Sequence, residues 1–338
     1  MEITKTQLQE FAEVTSIIRN TQQQVFRLAN TALIDLYWNL GAYLTSKIET
    51  AKWGDGVINQ LADYIAQELP GLKGFSNKNL WRMKQFYVTY CNDEEKLSTL
   101  LRQISWSHNR TIMSRCKTQE ERVFYLKLCA NDNLSFRQLE RQIDSALYER
   151  SKSSEPKLSP VLRENVPTAS EVFRDQYVME FVGGKTYANE NSLKNALIDQ
   201  MKDFILELGS DFIYINKEYR LQVGNSDFRI DLLFYHRELQ CLVAFELKMG
   251  KFEPSHLGQL NFYLEALDRD VKKPHENPSI GVLLCKDKDD EVVEYALSRS
   301  LSPTMVAQYQ LCMPDKAKLQ SKMREIENNL NELMGKEE

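Results

Sequence analysis

Two carboxylates and a lysine on two neighbouring apolar segments are the residues of this sequence best suited to chemistry. Asp231 lies within the segment 228–236, and Glu246 and Lys248 lie at the end of the segment 240–248. Two carboxylates held close together in a poorly solvated place repel each other unless a cation lies between them. Their oxygens suit Mg²⁺ or Mn²⁺ better than zinc, and the Lys248 ammonium could hold or help deprotonate an attacking water. The three residues therefore predict a divalent-metal site.

The chain must fold back between the two segments for these side chains to meet. The composition of both segments predicts β-strands joined by a tight turn near Arg237-Glu238. With that turn, Asp231 pairs with Ala244. Glu246 is then the diagonal neighbour of Asp231 on the same face, because side chains alternate along a strand. The predicted hairpin therefore brings both carboxylates to one corner of an apolar sheet.

The short patterns around this hairpin are weak by themselves. Glu-x-Lys occurs three times in the chain, at 94–96, 155–157 and 246–248. Gln259 and Tyr263 lie four residues apart on one face of the next predicted helix, and the same spacing occurs at Gln60 and Tyr64. The alternative interpretations are a surface salt bridge to Lys248 and an ordinary pair on a helix surface. The position of both patterns around a carboxylate-bearing hairpin favours a site.

The order of predicted elements indicates an α + α/β protein. The first 150 residues have helical spacing of apolar side chains and no clean strand alternation. The segment 151–170 carries three prolines and five serines, which predicts an interdomain linker. From about residue 171 the pattern becomes helix, three strands, helix, strand, helix, strand, which is typical of a mixed sheet with helices on its faces. The predicted strands are 211–223, 228–236, 240–248, 279–286 and 304–311, and the predicted helices are 189–208, 254–268, 289–299 and 315–336. The predicted domains are therefore a helical domain over 1–150, a linker over 151–170 and an α/β domain over 171–338.

Composition excludes several classes of protein. With 338 residues, 42% of them hydrophobic, the chain can bury real cores and is not disordered throughout. Apolar runs fall well short of the roughly 18 residues of a membrane helix, so no membrane partner is expected. Six cysteines without C-x-x-C spacing and four scattered histidines argue against a zinc ribbon or a disulfide scaffold, and predict reduced thiols in a cytoplasmic protein. Without a Gly-rich phosphate loop, an NTPase or a dehydrogenase is not supported.

The net charge of −5 hides a basic stretch. Residues 71–117 contain nine Lys and Arg against three acids, a local balance of +6. A basic surface on an acidic chain is compatible with phosphate binding. A solvated helix face is the alternative interpretation, and the long amphipathic helix predicted over 21–49 could instead mediate assembly, including a homodimer. The candidates for contacts with nucleic acid are Lys78, Arg82, Lys84 and Arg110.

These segments resemble a known family. The stretch from 229–268 to 277–297 is similar to the C-terminal nuclease domain of the YhcG family, in the PD-(D/E)XK nuclease superfamily. YWNLGAYL (37–44), WGDGVINQLADYI (53–65) and GFSNKNLWRMKQFY (74–87) resemble that family's N-terminal helical domain. The resemblance implies a restriction-endonuclease-like mixed sheet. It also implies a Mg²⁺- or Mn²⁺-dependent hydrolase that cleaves phosphodiester bonds, with DNA as the expected substrate.

The resemblance also implies roles for single residues. Asp231 matches the first Asp of the superfamily motif, with Ile230 where the name-giving Pro would stand, and Glu246 and Lys248 match the (D/E)-x-K element. These are the expected catalytic residues, with Asp231 and Glu246 as metal ligands. By the same resemblance, Gln259 and Tyr263 match a Q-x-x-x-Y element that lies near the substrate.

Two features of the resemblance leave alternatives open. Glu190 resembles a third metal-binding carboxylate on the first helix, but Lys194 stands where a second acid is expected. Glu190 could equally be a helix N-terminal acid stabilised by the macrodipole. For the whole domain, the alternative to a nuclease is a catalytically silent nucleic-acid-binding or protein-interaction module that keeps the fold.

Overall fold

The computed structural model describes residues 5–50, 55–92, 95–185 and 187–334. These residues form two compact units that divide between Glu140 and Arg141. Within the described residues, no helix combines the length and the apolar character needed to cross a membrane.

The first unit is helical, as the sequence predicts. Its helices are α1 (Lys5–Glu49), α2 (Asp55–Glu68), α3 (Asn77–Tyr90), α4 (Glu95–Gln103), α5 (Trp106–Arg115) and α6 (Gln119–Asp132), and α7 (Phe136–Asp144) begins in it. Tyr37 and Leu44 of α1 pack in one core with Leu80 and Met83 of α3. Gly41 lies between them, and a Cβ at this position would come within 2.2 Å of the Met83 carbonyl oxygen. Only glycine permits this close approach of α1 and α3.

The second unit is a seven-stranded mixed sheet between helices. Its strands are β1 (Lys157–Leu158), β2 (Gln176–Val178), β3 (Phe212–Val223), β4 (Ser226–His236), β5 (Cys241–Lys251), β6 (Ile280–Asp287) and β7 (Thr304–Gln310). The strand order is β1-β7-β6-β5-β4-β3, with β2 also paired to β7. β3, β4 and β5 are antiparallel neighbours, whereas β5, β6 and β7 run parallel. The five long strands match the predicted ones closely, and the mixed sheet is confirmed.

Helices cover both faces of this sheet. They are α8 (Leu147–Ser153), α9 (Pro160–Asn165), α10 (Ala169–Val172), α11 (Glu190–Asp199), α12 (Met201–Leu208), α13 (His256–Ala266), α14 (Asp290–Leu297) and α15 (Lys316–Met334). α11 and α12 contribute Leu193 and Phe204 to the core on one face. α13 and α14 contribute Leu260 and Val293 to the core on the other face. Side chains along β5 alternate between the two cores, so residues 241–247 of β5 are packed on both sides.

The segment 151–170 differs from the linker that its composition predicts. In the structure it carries β1, α9 and part of α10, and Leu158 of β1 pairs with Met305 of β7. Ser159 caps α9 with its side chain, and Pro160 occupies the first helical position, where a missing N–H costs nothing. Serine and proline at 159–160 thus form a helix start rather than a flexible connection. The segment is therefore ordered in part and pairs with the sheet of the second unit, which its composition alone does not indicate.

Candidate active site

The hairpin between β4 and β5 has a different register from the predicted one. His236 pairs with Cys241 and Leu232 with Phe245, so the connecting loop has four residues rather than two. Gln240 takes a left-handed conformation at φ 49°, and the His236 Nδ1 accepts a hydrogen bond from the Leu239 N–H at 3.1 Å. In this register residue 246, rather than residue 244, is the counterpart of Asp231, although the pairing of β4 with β5 ends one pair earlier, at Leu232 and Phe245. The observed register therefore differs from the predicted one by two residues.

β4 and β5 stop pairing next to Asp231. The β4–β5 ladder ends at Leu232 and Phe245, while β4 continues to pair with β3 and β5 with β6. Past this point, the Leu247 N–H donates to Asp231 Oδ2 at 3.0 Å. A side chain thus replaces the backbone partner that the neighbouring strand no longer supplies. At this opening 16% of the Asp231 side chain is exposed, whereas Glu246 is buried.

Glu246 and Lys248 form the inner part of the site. Glu246 is 4% exposed, and its Oε1 lies 3.2 Å from the Lys248 Nζ. Its Oε2 is buried and has no hydrogen-bond partner within the described part of the chain. A buried carboxylate oxygen without a partner is costly. This oxygen is therefore available for a ligand that the protein itself does not provide.

Burial and charge set the proton affinities of this pair. Burial, followed by the charge of Asp231, raises the pKa of Glu246 to about 7. Burial alone would lower the pKa of Lys248, but the charges of Glu246 and Glu190 outweigh it and the pKa is raised. Lys248 is therefore a cation at neutral pH, whereas Glu246 gains either a proton or another cation to offset its repulsion with Asp231.

A second lysine lies on the other side of Asp231. Lys194 of α11 is 5% exposed, and its Nζ lies 2.9 Å from Asp231 Oδ1 and 3.1 Å from Glu218 Oε1. Glu218 is on β3 with a left-handed φ of 46°, a conformation that is unusual for a non-glycine residue. The sequence shows Lys194 only as a departure from the expected acid, and a strand position alone gives no sign that Glu218 turns towards the site. Both residues join the site through tertiary contacts.

Glu190 reaches the same site from the first turn of α11. Its Oε2 lies 3.6 Å from the Lys248 Nζ, and its Oε1 accepts a long hydrogen bond of 3.5 Å from the Met249 N–H. The helix begins at this residue, behind a capping box formed by Asn189 and Ser192. Glu190 is thus both a helix N-terminal acid and a neighbour of the lysine at the site, with 45% of its side chain exposed.

Gln259 and Tyr263 contact each other on one helix, as their four-residue spacing predicts. On α13, the Gln259 side-chain amide donates to the Tyr263 hydroxyl. Burial raises the pKa of the Tyr263 hydroxyl, and the charges of Glu246 and Asp231 act in the same direction. Tyr263 is therefore near enough to the carboxylates to feel their charge, and Gln259 lies one turn away at the surface.

The donor set fits a divalent cation, although the ligands are not gathered into a finished shell. Within the described residues, no three His, Cys, Asp or Glu side chains converge as a complete metal-binding cluster. The partnerless oxygen of Glu246 next to a second carboxylate is the feature that a hard cation would satisfy. Asp231 and Glu246 would be its ligands, with Glu190 at the edge.

The basic candidates of the first unit lie on two of its helices. Lys78 is exposed and Arg82 is half-buried one turn further along α3. Lys84 of α3 lies over the Trp81 ring, 5.8 Å from its centroid. Arg110 is half-buried on α5. The neighbouring Phe86 is fully buried, so it is a core residue and not a platform for stacking bases.

Comparison with known proteins is consistent with this geometry. Residues 170–324 match the family model of the YhcG PDDEXK nuclease domain, and residues 13–150 match that of the DUF1016 N-terminal domain. A protein of Escherichia coli (strain K12) named "Putative nuclease YhcG" is 30% identical over 342 residues, with 90% of each chain covered.

Two solved structures match part of the chain at low similarity. One is described as a repair endonuclease from Pyrococcus abyssi, with a TM-score of 0.26 and 16% identity over 39% of this chain and 50% of that chain. The other is described as an EndoMS–dsDNA complex, with a TM-score of 0.23 and 17% identity over 35% of this chain and 45% of that chain. By its family-model matches and its 30% identity to the E. coli protein, the chain belongs to the YhcG family, and its second unit is a PD-(D/E)XK nuclease domain.

Proposed function

We propose that this protein hydrolyses phosphodiester bonds of DNA with the help of Mg²⁺ or Mn²⁺ held by Asp231 and Glu246. The observation that carries the proposal is the buried Glu246 Oε2, which has no partner in the described residues although Asp231 and Lys248 are its neighbours. A carboxylate pair that lacks a cation, next to a lysine that keeps its charge, is suited to phosphate chemistry.

The residues of the site divide the work. A divalent cation bound there would neutralise the phosphodiester charge and favour hydroxide near neutral pH. Lys248 keeps its proton beside Glu246, so it would orient the attacking water or stabilise charge on the phosphoryl oxygens. Tyr263 of α13 is near enough to Glu246 and Asp231 to feel their charge, and it accepts a hydrogen bond from Gln259. Both side chains would contact the substrate.

DNA is the proposed substrate because the second unit is a PD-(D/E)XK nuclease domain with a restriction-endonuclease-like sheet. The exposed and half-buried cations of α3 and α5 would add phosphate contacts from the first unit. Such contacts would position the nucleic acid without reading its sequence.

The alternative is a silent module that keeps the fold. The pairing of both Asp231 oxygens with protein donors favours it, because Lys194 and Leu247 already supply partners. Each carboxylate oxygen has two acceptor sites, however, so these hydrogen bonds leave room for a cation.

Cleavage of plasmid DNA, linear duplex and single-stranded DNA and RNA tests the proposal. The parent chain should cleave DNA with Mg²⁺ or Mn²⁺ and stop when EDTA is added. Glu246→Gln and Lys248→Met should each lower the rate by a factor of about 10² or more. Glu155→Gln is the matched control, since Glu155 lies exposed in another Glu-x-Lys pattern. Equal cleavage of DNA by the parent chain and Glu246→Gln would exclude this site. Cleavage of RNA but not of DNA would exclude DNA as the substrate.

A further inference from the structure

The first half of α1 is a long helical segment without a buried face. Every side chain described from Glu10 to Ala29 is exposed, whereas the helix buries Ile34, Tyr37 and Leu44 further along. An isolated helix of this length is only marginally stable in water, because most helical stability in proteins comes from packing of an apolar face. The segment therefore needs a partner.

The exposed segment carries a repeat that specifies helix pairing. Six positions, called the α1 stripe below, recur with seven-residue spacing in two interleaved series. Five of the six are apolar, with exposures between 50% and 72%. A seven-residue apolar repeat is typical of helices that wind around each other. The stripe consists of Phe11, Val14, Ile18, Thr21, Val25 and Leu28.

The distribution of charge indicates which helix is the partner. Glu10 and Glu13 lie at the start of the stripe, Arg27 lies near its end, and Arg19 lies at its centre. A second copy of α1 laid parallel would place Glu beside Glu and Arg27 beside Arg27, whereas an antiparallel copy places Glu10 and Glu13 near Arg27. The segment is thus complementary to itself in the antiparallel direction.

The stripe itself also fits in that direction. Antiparallel pairing with residue numbers summing to 39 places Phe11 opposite Leu28, Val14 opposite Val25, and Ile18 opposite Thr21. The exposed segment 10–29, which this register pairs with itself, is about 30 Å long. A face of that length covers several hundred Å² on each chain, which approaches the roughly 800 Å² per partner of a stable interface.

We propose that the α1 stripe pairs antiparallel with the α1 stripe of a second copy, so that the protein is a homodimer held by its N-terminal helix. The inference depends on residues of the first unit alone and stands apart from the nuclease activity. Its consequence is an assembly with two nuclease units.

Light scattering coupled to size-exclusion chromatography tests the dimer on the full chain. The parent protein should have twice the mass of the 39.4 kDa chain. Ile18→Glu/Val25→Glu, which places charges in the stripe, should have the mass of one chain. Ser16→Glu/Gln23→Glu adds the same charges on the outer face and should stay dimeric. A monomeric parent chain, a larger assembly, or a stripe variant that stays dimeric would overturn the proposal.

Crosslinking tests the direction without disturbing the stripe by charge. In a background with the exposed Cys91 and Cys312 changed to serine, Phe11→Cys/Leu28→Cys should give a covalent dimer with a short bifunctional maleimide. Phe11→Cys alone should not, because its counterpart lies near the other end of the pair. Efficient linkage by Phe11→Cys alone would show a parallel pair and contradict the proposal.

Discussion

The Nζ of Lys194 lies 2.9 Å from Asp231 Oδ1, so a buried lysine of α11 is ion-paired to the first carboxylate of the motif. The same Nζ lies 3.1 Å from Glu218. Burial alone would lower the pKa of Lys194, but its contacts with Asp231 and Glu218 raise it. The lysine is therefore a cation at neutral pH, and its contact with Oδ1 fixes the orientation of the Asp231 carboxylate.

Replacing this lysine should affect metal binding and cleavage in opposite directions. Lys194→Gln removes a positive charge beside Asp231, so Mn²⁺ should bind up to about tenfold more tightly. Cleavage should fall at least tenfold, because Asp231 loses the donor that positions it. Calorimetry and a cleavage assay measure the two effects. Lys217→Gln on β3 is the control. Weaker binding of Mn²⁺ by Lys194→Gln than by the parent chain would contradict this prediction.

A buried charge network should dominate the stability of the second unit. Glu207 is fully buried and accepts from Arg141, Arg150 and the Val178 N–H. Glu207→Gln leaves the arginines without their counter-charge, and the free energy of unfolding should fall by about 3–5 kcal/mol. Urea denaturation measures it. The exposed Glu164→Gln should change stability by less than about 0.5 kcal/mol, and an equally small effect for Glu207→Gln would show that the network is not stabilising.

His236 should make stability depend on pH. Burial at the end of β4 lowers its pKa below the ordinary 6.5. Above that value, neither the folded nor the unfolded chain protonates this group. As the pH falls below 6.5, the unfolded chain takes up a proton that the folded chain does not, so stability is lost, by up to about 1.4 kcal/mol per pH unit.

The contribution of His236 is measured by difference. Unfolding of the parent chain and of His236→Gln is followed over a range of pH, since glutamine keeps an acceptor for the Leu239 N–H. The parent chain should lose more stability than the variant between neutral and acidic pH. Parallel curves would assign the pH dependence to other groups.

The basic residues of α3 should bind DNA through phosphates. Lys78→Ala/Arg82→Ala should weaken duplex binding and make the logarithmic dependence on salt shallower by about 2. Fluorescence anisotropy at several salt concentrations measures both quantities. Lys127→Ala, exposed on α6 of the same unit, is the control, and an unchanged salt dependence in the double variant would remove these residues from the interface.

The sequence predicts the strands and helices of the second unit well, because apolar alternation and Gly224-Asn225 mark their limits. The two-residue turn at Gly224-Asn225 is present, with Gly224 at φ +60°. The predicted register of the hairpin at His236 is wrong by two residues. The observed loop is longer than the predicted turn, and it depends on a hydrogen bond to the His236 side chain and on a left-handed Gln240. Local patterns do not contain that information.

The sequence predicts some residues of the site and misses others. Asp231, Glu246 and Lys248 are predicted from strand alternation and from the family resemblance, and the structure places them on the adjacent strands β4 and β5, with Lys248 Nζ 3.2 Å from Glu246 Oε1. Glu218 is missed because its contact with Lys194 depends on an unusual backbone conformation far from the motif. Contacts between distant elements are not encoded by spacing.

Titration calorimetry with Mn²⁺ measures whether Asp231 and Glu246 bind a divalent cation. The parent chain and the Glu155→Gln control should bind Mn²⁺, and binding should be lost in Glu246→Gln with the fold intact by circular dichroism. Equal Mn²⁺ binding by the parent chain and Glu246→Gln, or none by the parent chain even with DNA present, would contradict binding at these two residues.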